Sequence, residues 1–428
     1  MSAGLERIAE KAKAAPHERF TALAHHLTEG MLKETVGRMN RHGAPGVDRI
    51  SMEEYAKNLD SHVADLVERM KRRAYDAPYV RRTYIPKAGN PEKLRPLGIP
   101  TVEDRLLQAA VARILGAIYE PIFLDCSYGF RPGRKAHDAL REIRTAVVSG
   151  RAQYVLEADI RGYFDHIDHN WLLRMLELKV GDPWILRLIR KWLKAGVLDK
   201  GTVTHPEEGT PQGGPLSPLL ANIYLHYILD LWFQKVARPR LRHGAKVVRF
   251  ADDFLLLFED ERDAKNIAEV LPKRLAKFGL EAASEKTRLV PFGTSAWRQD
   301  CGTPGTFDFL GFSHHLGTTR RGAMVVVRVP AQKGVHRFLM AIKAWLRANM
   351  HMAPVLQQAV LAAKLRGFYQ YFGLHHCTRR LNAVREQTRL YWRNALGRRS
   401  QRARRSFAVL DGKAWFNLPR PRLVHPTV

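Results

Sequence analysis

The stretch VVRFADDFLLLF, residues 247–258, sets two adjacent aspartates between two apolar runs. Val247 to Phe250 and Phe254 to Phe258 are β-branched, aromatic or leucine-rich, which favours extended chain, and the Ala251-Asp252-Asp253 break is short enough for a hairpin turn. Aspartate is common in turns because its carboxylate accepts from nearby backbone N–H groups, so the pair alone says little about chemistry. A second acid changes that. In YVLEADIRGYFDHID, residues 154–168, another short β-type run ends near Asp159. If both segments lie in one sheet, three carboxylates gather at one end of it and repel one another unless cations intervene. Magnesium suits such a place: it takes oxygen ligands octahedrally, keeps waters, and is held by a few carboxylates plus substrate phosphates. Two such ions can clamp the attacking and leaving oxygens of phosphoryl transfer. Successive strand side chains point to opposite faces, so Asp252 and Asp253 are unequal unless the turn twists between them. Asp159 and Asp252 are the expected primary ligands, with Asp253 the third.

The charge of the whole chain points to a polyanionic partner. Its 428 residues include 70 Lys and Arg against 42 Asp and Glu, a net charge of +28, and its 45% apolar content is that of a folded protein with a sizeable core. The basic residues occur along the entire length, not on one amphipathic helix as on a membrane-surface protein. No apolar run approaches the ~18 residues needed to span a bilayer. The opening MSAGLERIAEKAKAAPHERF lacks a secretory apolar core, and Glu6 and Glu10 argue against a transit peptide. Cys126, Cys301 and Cys377 lie too far apart in sequence to suggest a disulfide framework or a four-cysteine zinc site, which fits a reducing intracellular compartment.

Periodicity divides the rest. The first forty residues carry helical spacing and end in the turn-rich NRHGAPGVDRIS, residues 40–51. RRTYIPKAGNPEKLRPLGIPT, residues 81–101, holds two extended runs around a Gly-Asn-Pro turn. Val102 to Phe123 returns to helical spacing, and SYGFRPGRKAHDAL, residues 127–140, is a loop entering a helix. After Pro215, the series Leu216, Leu219, Leu220, Ile223, Tyr227 and Leu231 predicts an amphipathic helix of about four turns. Beyond about residue 330 the pattern is almost wholly helical, with basic density rising in RNALGRRSQRARRSF, residues 393–407.

ADIRGYFDHID (158–168), GTPQGGPLSPLLANIYLHYILD (209–230) and RFADDFLLLF (249–258), in this order, resemble the reverse transcriptases encoded by group II introns, in their compact form without an endonuclease domain. GAPGVDRIS (43–51), TYIPKAGNPEKLRPLGIPTVEDRLLQAA (83–110), SYGFRPGRKAHDAL, GLEAASEKTRLVPFG (279–293) and FDFLGF (307–312) extend the likeness from Gly43 to Phe312, and KLRGFYQYFGLHH (364–376) continues it less specifically. The resemblance implies an α+β right-hand polymerase: fingers and palm with an antiparallel sheet, then a helical thumb that doubles as the maturase region. It implies an N-terminal helical extension with the first finger motif (1–80), fingers (81–150), a palm interleaved with them (151–315), a thumb (330–395) and a basic DNA-binding tail (396–428).

The same resemblance implies residue roles. Asp159, Ile160, Asp252 and Asp253 would form the site of two Mg²⁺ ions, with Mn²⁺ as a substitute. Phe250 stands where the family carries tyrosine, which bears on a contact near the primer and not on the metals. Phe164 would exclude a 2′-hydroxyl by clash; the other reading is an ordinary core phenylalanine. Gln212 would offer its amide to the nucleotide, and Gly213 and Gly214 would let backbone approach a base pair, although the same segment reads as a turn before a helix. Lys87 and Arg95 would meet the triphosphate, or else are solvated cations on a basic chain. Lys286 would protonate leaving pyrophosphate. The pairs His25-His26, His314-His315 and His375-His376, and likewise His166 and His169, lack further ligands at metal spacing and read as solvated or RNA-facing.

The activity so implied is RNA-directed DNA synthesis, with an RNA template, a DNA primer, dNTPs, a group II intron RNA and a target DNA as partners. Its expected place is the bacterial cytoplasm, associated with the nucleoid and not the membrane; oligomeric state is left open. Arg398 to Arg405 would touch DNA, or form a loose basic tail. With no cysteine pairs of an HNH-type nuclease, second-strand cleavage is not expected. Rival readings are a free-standing bacterial reverse transcriptase of phage defence or spacer acquisition, and an RNA-binding splicing factor whose polymerase site is idle. The intact acids oppose the second.

Overall fold

A computed structural model describes residues 3–87, 90–210, 213–298, 304–399 and 406–425, apart from the side chains at 87, 90–93 and 286. Its strands are β1 (Val80–Lys87), β2 (Asn90–Ile99), β3 (Tyr154–Ala158), β4 (Val197–Asp199), β5 (Thr202–Thr204), β6 (Ala245–Phe250), β7 (Asp253–Phe258), β8 (Arg288–Pro291), β9 (Phe307–Phe309), β10 (Phe312–Thr318) and β11 (Met324–Pro330). The chain divides into two compact units, one of residues 1–87, 92–135 and 156–289, the other of residues 88–91, 136–155 and 290–428.

The first unit holds two four-stranded sheets, ordered β2-β1-β4-β5 and β6-β7-β3-β8. β6 and β7 pair antiparallel, as do β4 and β5, whereas β1 joins β4 in parallel. The helix Val102–Tyr119 is started by the Thr101 hydroxyl, which accepts from Asp104 N–H at 3.2 Å. It is buried on most sides because the helices Ala3–Ala14 and Glu29–Val36 also pack on it.

The helix after Pro215 differs from its expected form. It is α-helical over Ser217–Leu225 and then widens into π turns at His226–Asp230 and Phe233–Ala237. It is not amphipathic: Leu220 to Leu225 are all buried, since the segment runs between the 102–119 and 169–177 helices. A helix hemmed in on several sides has no polar face to display.

The second unit has the antiparallel sheet β11-β10-β9 and the long helices Gln332–Ala348, Pro354–Phe372 and Thr378–Gly397. Residues 416–419 are held against these helices. Phe416 stacks on Trp392 at 4.7 Å, Leu418 is buried, and the main-chain oxygens of Asn417 and Pro419 accept from Gln358 and Tyr369. Residues 417–419 thus lie along the 354–372 helix; of the Arg398–Arg405 stretch, for which the sequence allowed a loose tail, Arg402, Arg404 and Arg405 fall outside the described residues. Among the described residues no helix is long and apolar enough to cross a membrane.

One buried acid in the first unit has a consequence for stability. Asp104 is 1% exposed, accepts from Tyr75 O–H, and Tyr75 in turn accepts from Trp192 Nε1 at 2.9 Å. Burial pushes the Asp104 carboxyl up to about 7 against the lowering effect of the Tyr75 hydrogen bond. An acid whose folded pKa is raised binds more protons folded than unfolded, so its contribution to stability falls as pH rises from about 4 to about 7. Asp104→Asn should remove that slope. Melting curves across this window should show wild type losing roughly 2–4 kcal/mol relative to the variant, and parallel pH profiles would refute the assignment.

Candidate metal and nucleotide site

Phe250 pairs with Asp253, so the β6–β7 turn is only Ala251-Asp252, and Asp253 already belongs to the strand. Ala251 has φ 58°, the left-handed region that few residues with a Cβ occupy. Neighbouring segments hold it there. Arg249, 0% exposed, donates through Nη1 to the Ala251 carbonyl at 3.0 Å. Its other N–H groups reach Asn222 Oδ1 at 2.9 Å, Ser127 Oγ at 2.8 Å, and both oxygens of buried Asp230 at 2.8 and 2.6 Å. Each of the five donors of the guanidinium therefore has an acceptor. Residues 126–129 back the turn: Arg249 N–H donates to Cys126 O and Tyr128 N–H to Arg249 O, both at 2.8 Å. A Cβ on Gly129 would fall 2.4 Å from Ala251 N, so glycine is what permits this approach.

Asp159 follows β3, the neighbour of β7 in the sheet. Its carbonyl accepts from Ala283 N–H at 2.8 Å, and Arg161 N–H donates to Glu281 O at 2.9 Å, putting Ile160 opposite Ala282. Those bonds come from residues 159 and 161, so the Ile160 carbonyl turns away from the 281–283 segment, and only through that oxygen could Ile160 serve a cation. Asp252 is half-buried and Asp253 exposed. Burial raises the Asp252 carboxyl above its usual range; a hydrogen bond from its own backbone opposes this, the Asp159 charge raises it further, and Arg95 and Arg249 pull it down. A carboxyl lifted by desolvation and by a second carboxylate is what a shared divalent cation relieves, and the oxygen ligands of Asp159 and Asp252 are of the type that such a cation takes.

The three aspartates do not form one cage. Among the described residues the group that brings three ligand atoms within 4.8 Å of one another is His243, Asp260 and Asp263. There Asp263 already accepts from the N–H groups of Arg242 and His243, and Asp260 caps the Glu261–Ala276 helix, which accounts for both acids structurally. Asp253 differs from Asp252 because the turn ends between them and strand alternation begins.

The remaining candidates fare differently. Arg95 is exposed, yet its charge is felt at Asp252. Phe164 is half-buried in the short turn Tyr163–Asp165, while Tyr163 beside it is buried and donates to Ala221 O at 2.6 Å. Gly213 has φ 125°, and a Cβ there would lie 2.4 Å from the Gly98 carbonyl; one on Gly214 would lie 2.5 Å from Gln108 Oε1. The absence of a side chain thus lets residue 213 pack on β2 and residue 214 on the 102–119 helix. Gln212 and the side chains of Lys87 and Lys286 lie outside the described residues. Sequence reasoning missed Arg249, Asp230, Asn222 and Gly129. Their signal was present: Arg249 and Asp230 each stand as a lone charge beside an apolar run, the mark of a buried pair.

The family model described as "Reverse transcriptase (RNA-dependent DNA polymerase)" matches residues 85–314. The chain is 36% identical over 300 residues to "Group II intron-encoded protein LtrA" of Lactococcus lactis subsp. cremoris, covering 67% of this chain and 49% of that protein. It is 32% identical over 330 residues to "Protein YkfC" of Escherichia coli K12, covering 71% and 84%. A "Putative COX1/OXI3 intron 1 protein" of Saccharomyces cerevisiae is 26% identical over 284 residues, 55% of this chain and 32% of its own length. The chain therefore spans about half the length of the Lactococcus protein.

Gly129→Ala should push the 250–251 backbone out of place, at a cost of about 1–3 kcal/mol. Thermal unfolding would register that loss; a variant with wild-type stability would show that the turn does not depend on this approach.

Proposed function

The chain belongs to the reverse transcriptase (RNA-dependent DNA polymerase) family, and from that premise we propose that it extends a DNA primer on an RNA template by two-metal nucleotidyl transfer. The observation that carries this reading is the placement of Asp159 after β3 and Asp252 before β7, neighbouring strands of one sheet, where the Asp159 charge raises the Asp252 carboxyl and the Arg95 charge lowers it. Asp159 and Asp252 would hold Mg²⁺, or Mn²⁺ in its place, with Asp253 and the Ile160 carbonyl as further oxygens. When bound, the ions supply charge neutralisation for the attacking 3′-oxygen and the departing pyrophosphate. Arg95, with Lys87, would bind the triphosphate so that its α-phosphorus faces the primer end. The new O–P bond forms as the bond to pyrophosphate breaks, and Lys286 is the proposed proton donor to that leaving group. Gln212 and Gly213 would border the incoming nucleotide, and the half-exposed Phe164 ring would meet its sugar.

On this reading residues 1–80 would be an N-terminal extension with the first finger motif, 81–150 fingers and 151–315 a palm interleaved with them. Residues 330–395 would be the thumb and maturase region and 396–428 a DNA-binding segment. A group II intron RNA, whose splicing and mobility the protein would assist, and a target DNA are the proposed further partners. Support comes from a cavity of about 790 Å³ between the 354–372 helix and the 417–424 segment, lined by Arg366, Arg385, Arg420 and Arg422 and, among the described residues, by no carboxylate. Positive charge collected in this way suits phosphates.

Asp252→Ala should abolish dNTP incorporation on an RNA template while RNA affinity stays within about twofold, because phosphate contacts elsewhere carry binding. EDTA should stop the wild type, and Mg²⁺ or Mn²⁺ should restore it. Persistent synthesis by the variant would remove the metal assignment. Phe164→Ala should admit ribonucleotides, raising their relative incorporation by about 10-fold or more; unchanged discrimination would return this ring to a packing role.

A further inference from the structure

The geometry points to Arg249 as the positioning residue of the metal site: it holds the Ala251 carbonyl and thereby the direction in which Asp252 presents its carboxylate. This inference rests on the proposed two-metal reading and names what keeps that site in register. Arg249 does not face solvent and has no route to substrate, so its effect must pass through what it touches. Those contacts lie on three separate stretches: Ser127, the helical residues Asn222 and Asp230, and the turn itself. Asn222 completes the frame, its Nδ2 donating to Gly129 O at 2.8 Å while its Oδ1 accepts from Arg249. The residue whose backbone crowds Ala251 and the residue that bonds Ala251 are thus tied through one amide.

A left-handed alanine is costly to maintain, and a two-residue turn has no other slack. If the Ala251 carbonyl loses its donor, the peptide that leads into Asp252 is free to rotate, which moves the carboxylate relative to Asp159. Lysine cannot replace the arginine. Its ammonium has three donors and no planar fork, so it could satisfy Asp230 but not also Asn222, Ser127 and the Ala251 carbonyl. Outer residues that orient metal ligands commonly change metal affinity by about 10–100-fold when removed.

The test is Mn²⁺ binding to the full chain, followed by electron paramagnetic resonance well below the melting temperature, alongside the Mg²⁺ concentration giving half-maximal primer extension. Arg249→Lys should weaken Mn²⁺ by about 10-fold or more and raise the Mg²⁺ requirement in parallel. Asn222→Ala, which leaves the Arg249–Asp230 pair intact, should shift both in the same direction by a smaller factor, and it decides the matter if Arg249→Lys does not fold. Tyr75→Phe serves as a destabilised control: it breaks the buried Asp104–Tyr75–Trp192 chain without touching the turn, and should lower the melting temperature with Mn²⁺ affinity unchanged. Mn²⁺ affinity within twofold of wild type in both site variants, or an equal loss in Tyr75→Phe, overturns the positioning role. Failure of the underlying reading looks different, as wild-type Mn²⁺ binding that Asp252→Ala does not alter.

Discussion

A guanidinium taken entirely out of water is tolerated only if every N–H finds an acceptor and its charge finds a partner. Arg249 meets both conditions, with Asp230 supplying two oxygens and three other residues one each. Desolvating two such ions costs several kcal/mol apiece before their attraction returns any of it. The pair therefore does little for net stability. What it does is exclude alternatives, since residues 126–129, 222–230 and 249–251 must all be in place or a buried charge is left unsatisfied. The turn carrying Asp252 sits at the meeting point of those three segments.

Elsewhere in the first unit, polar burial follows the same rule on a smaller scale. Tyr75, Asp104 and Trp192 form a linear chain of hydrogen bonds joining three separate stretches, and Asp182 accepts from the N–H groups of Leu23 and Ala24 while also capping its own helix. Most of the ion pairs, by contrast, lie at the surface, where each contributes little. The large positive excess is consequently not a folding device. It is left for solution and for whatever anion the protein meets, and the arginine-lined cavity of the second unit concentrates part of it.

The fold was legible where residue type and local breaks sufficed. The 102–119 helix and the β6–β7 hairpin could be read because the first runs without a proline and the second joins β-branched, aromatic and leucine-rich runs across a short break, although both are buried on most sides. Legibility failed where several neighbours acted together. The helix after Pro215 kept its apolar spacing but was buried all round and changed to π winding, which no residue count announces. Residues 417–419 looked like part of a basic tail because their anchors are main-chain oxygens, which composition does not reveal. In the candidate site, the acidic residues were visible as residues, whereas the packing partners of Gly213 and Gly214 lie about 115 and 106 positions away and left no local trace.

By itself the sequence determined the chemistry available: two β-type segments ending in aspartate, a basic chain around them, and the motif order that the family shares. Only the tertiary structure decided which aspartate turns inward. In a two-residue turn that choice depends on the handedness of Ala251, and Ala251 is held by a residue two positions before it whose own partners lie 19 to 122 positions away. Local pattern sets which face a side chain takes once the turn is given; the turn itself is set by contacts that exist only after the chain has folded.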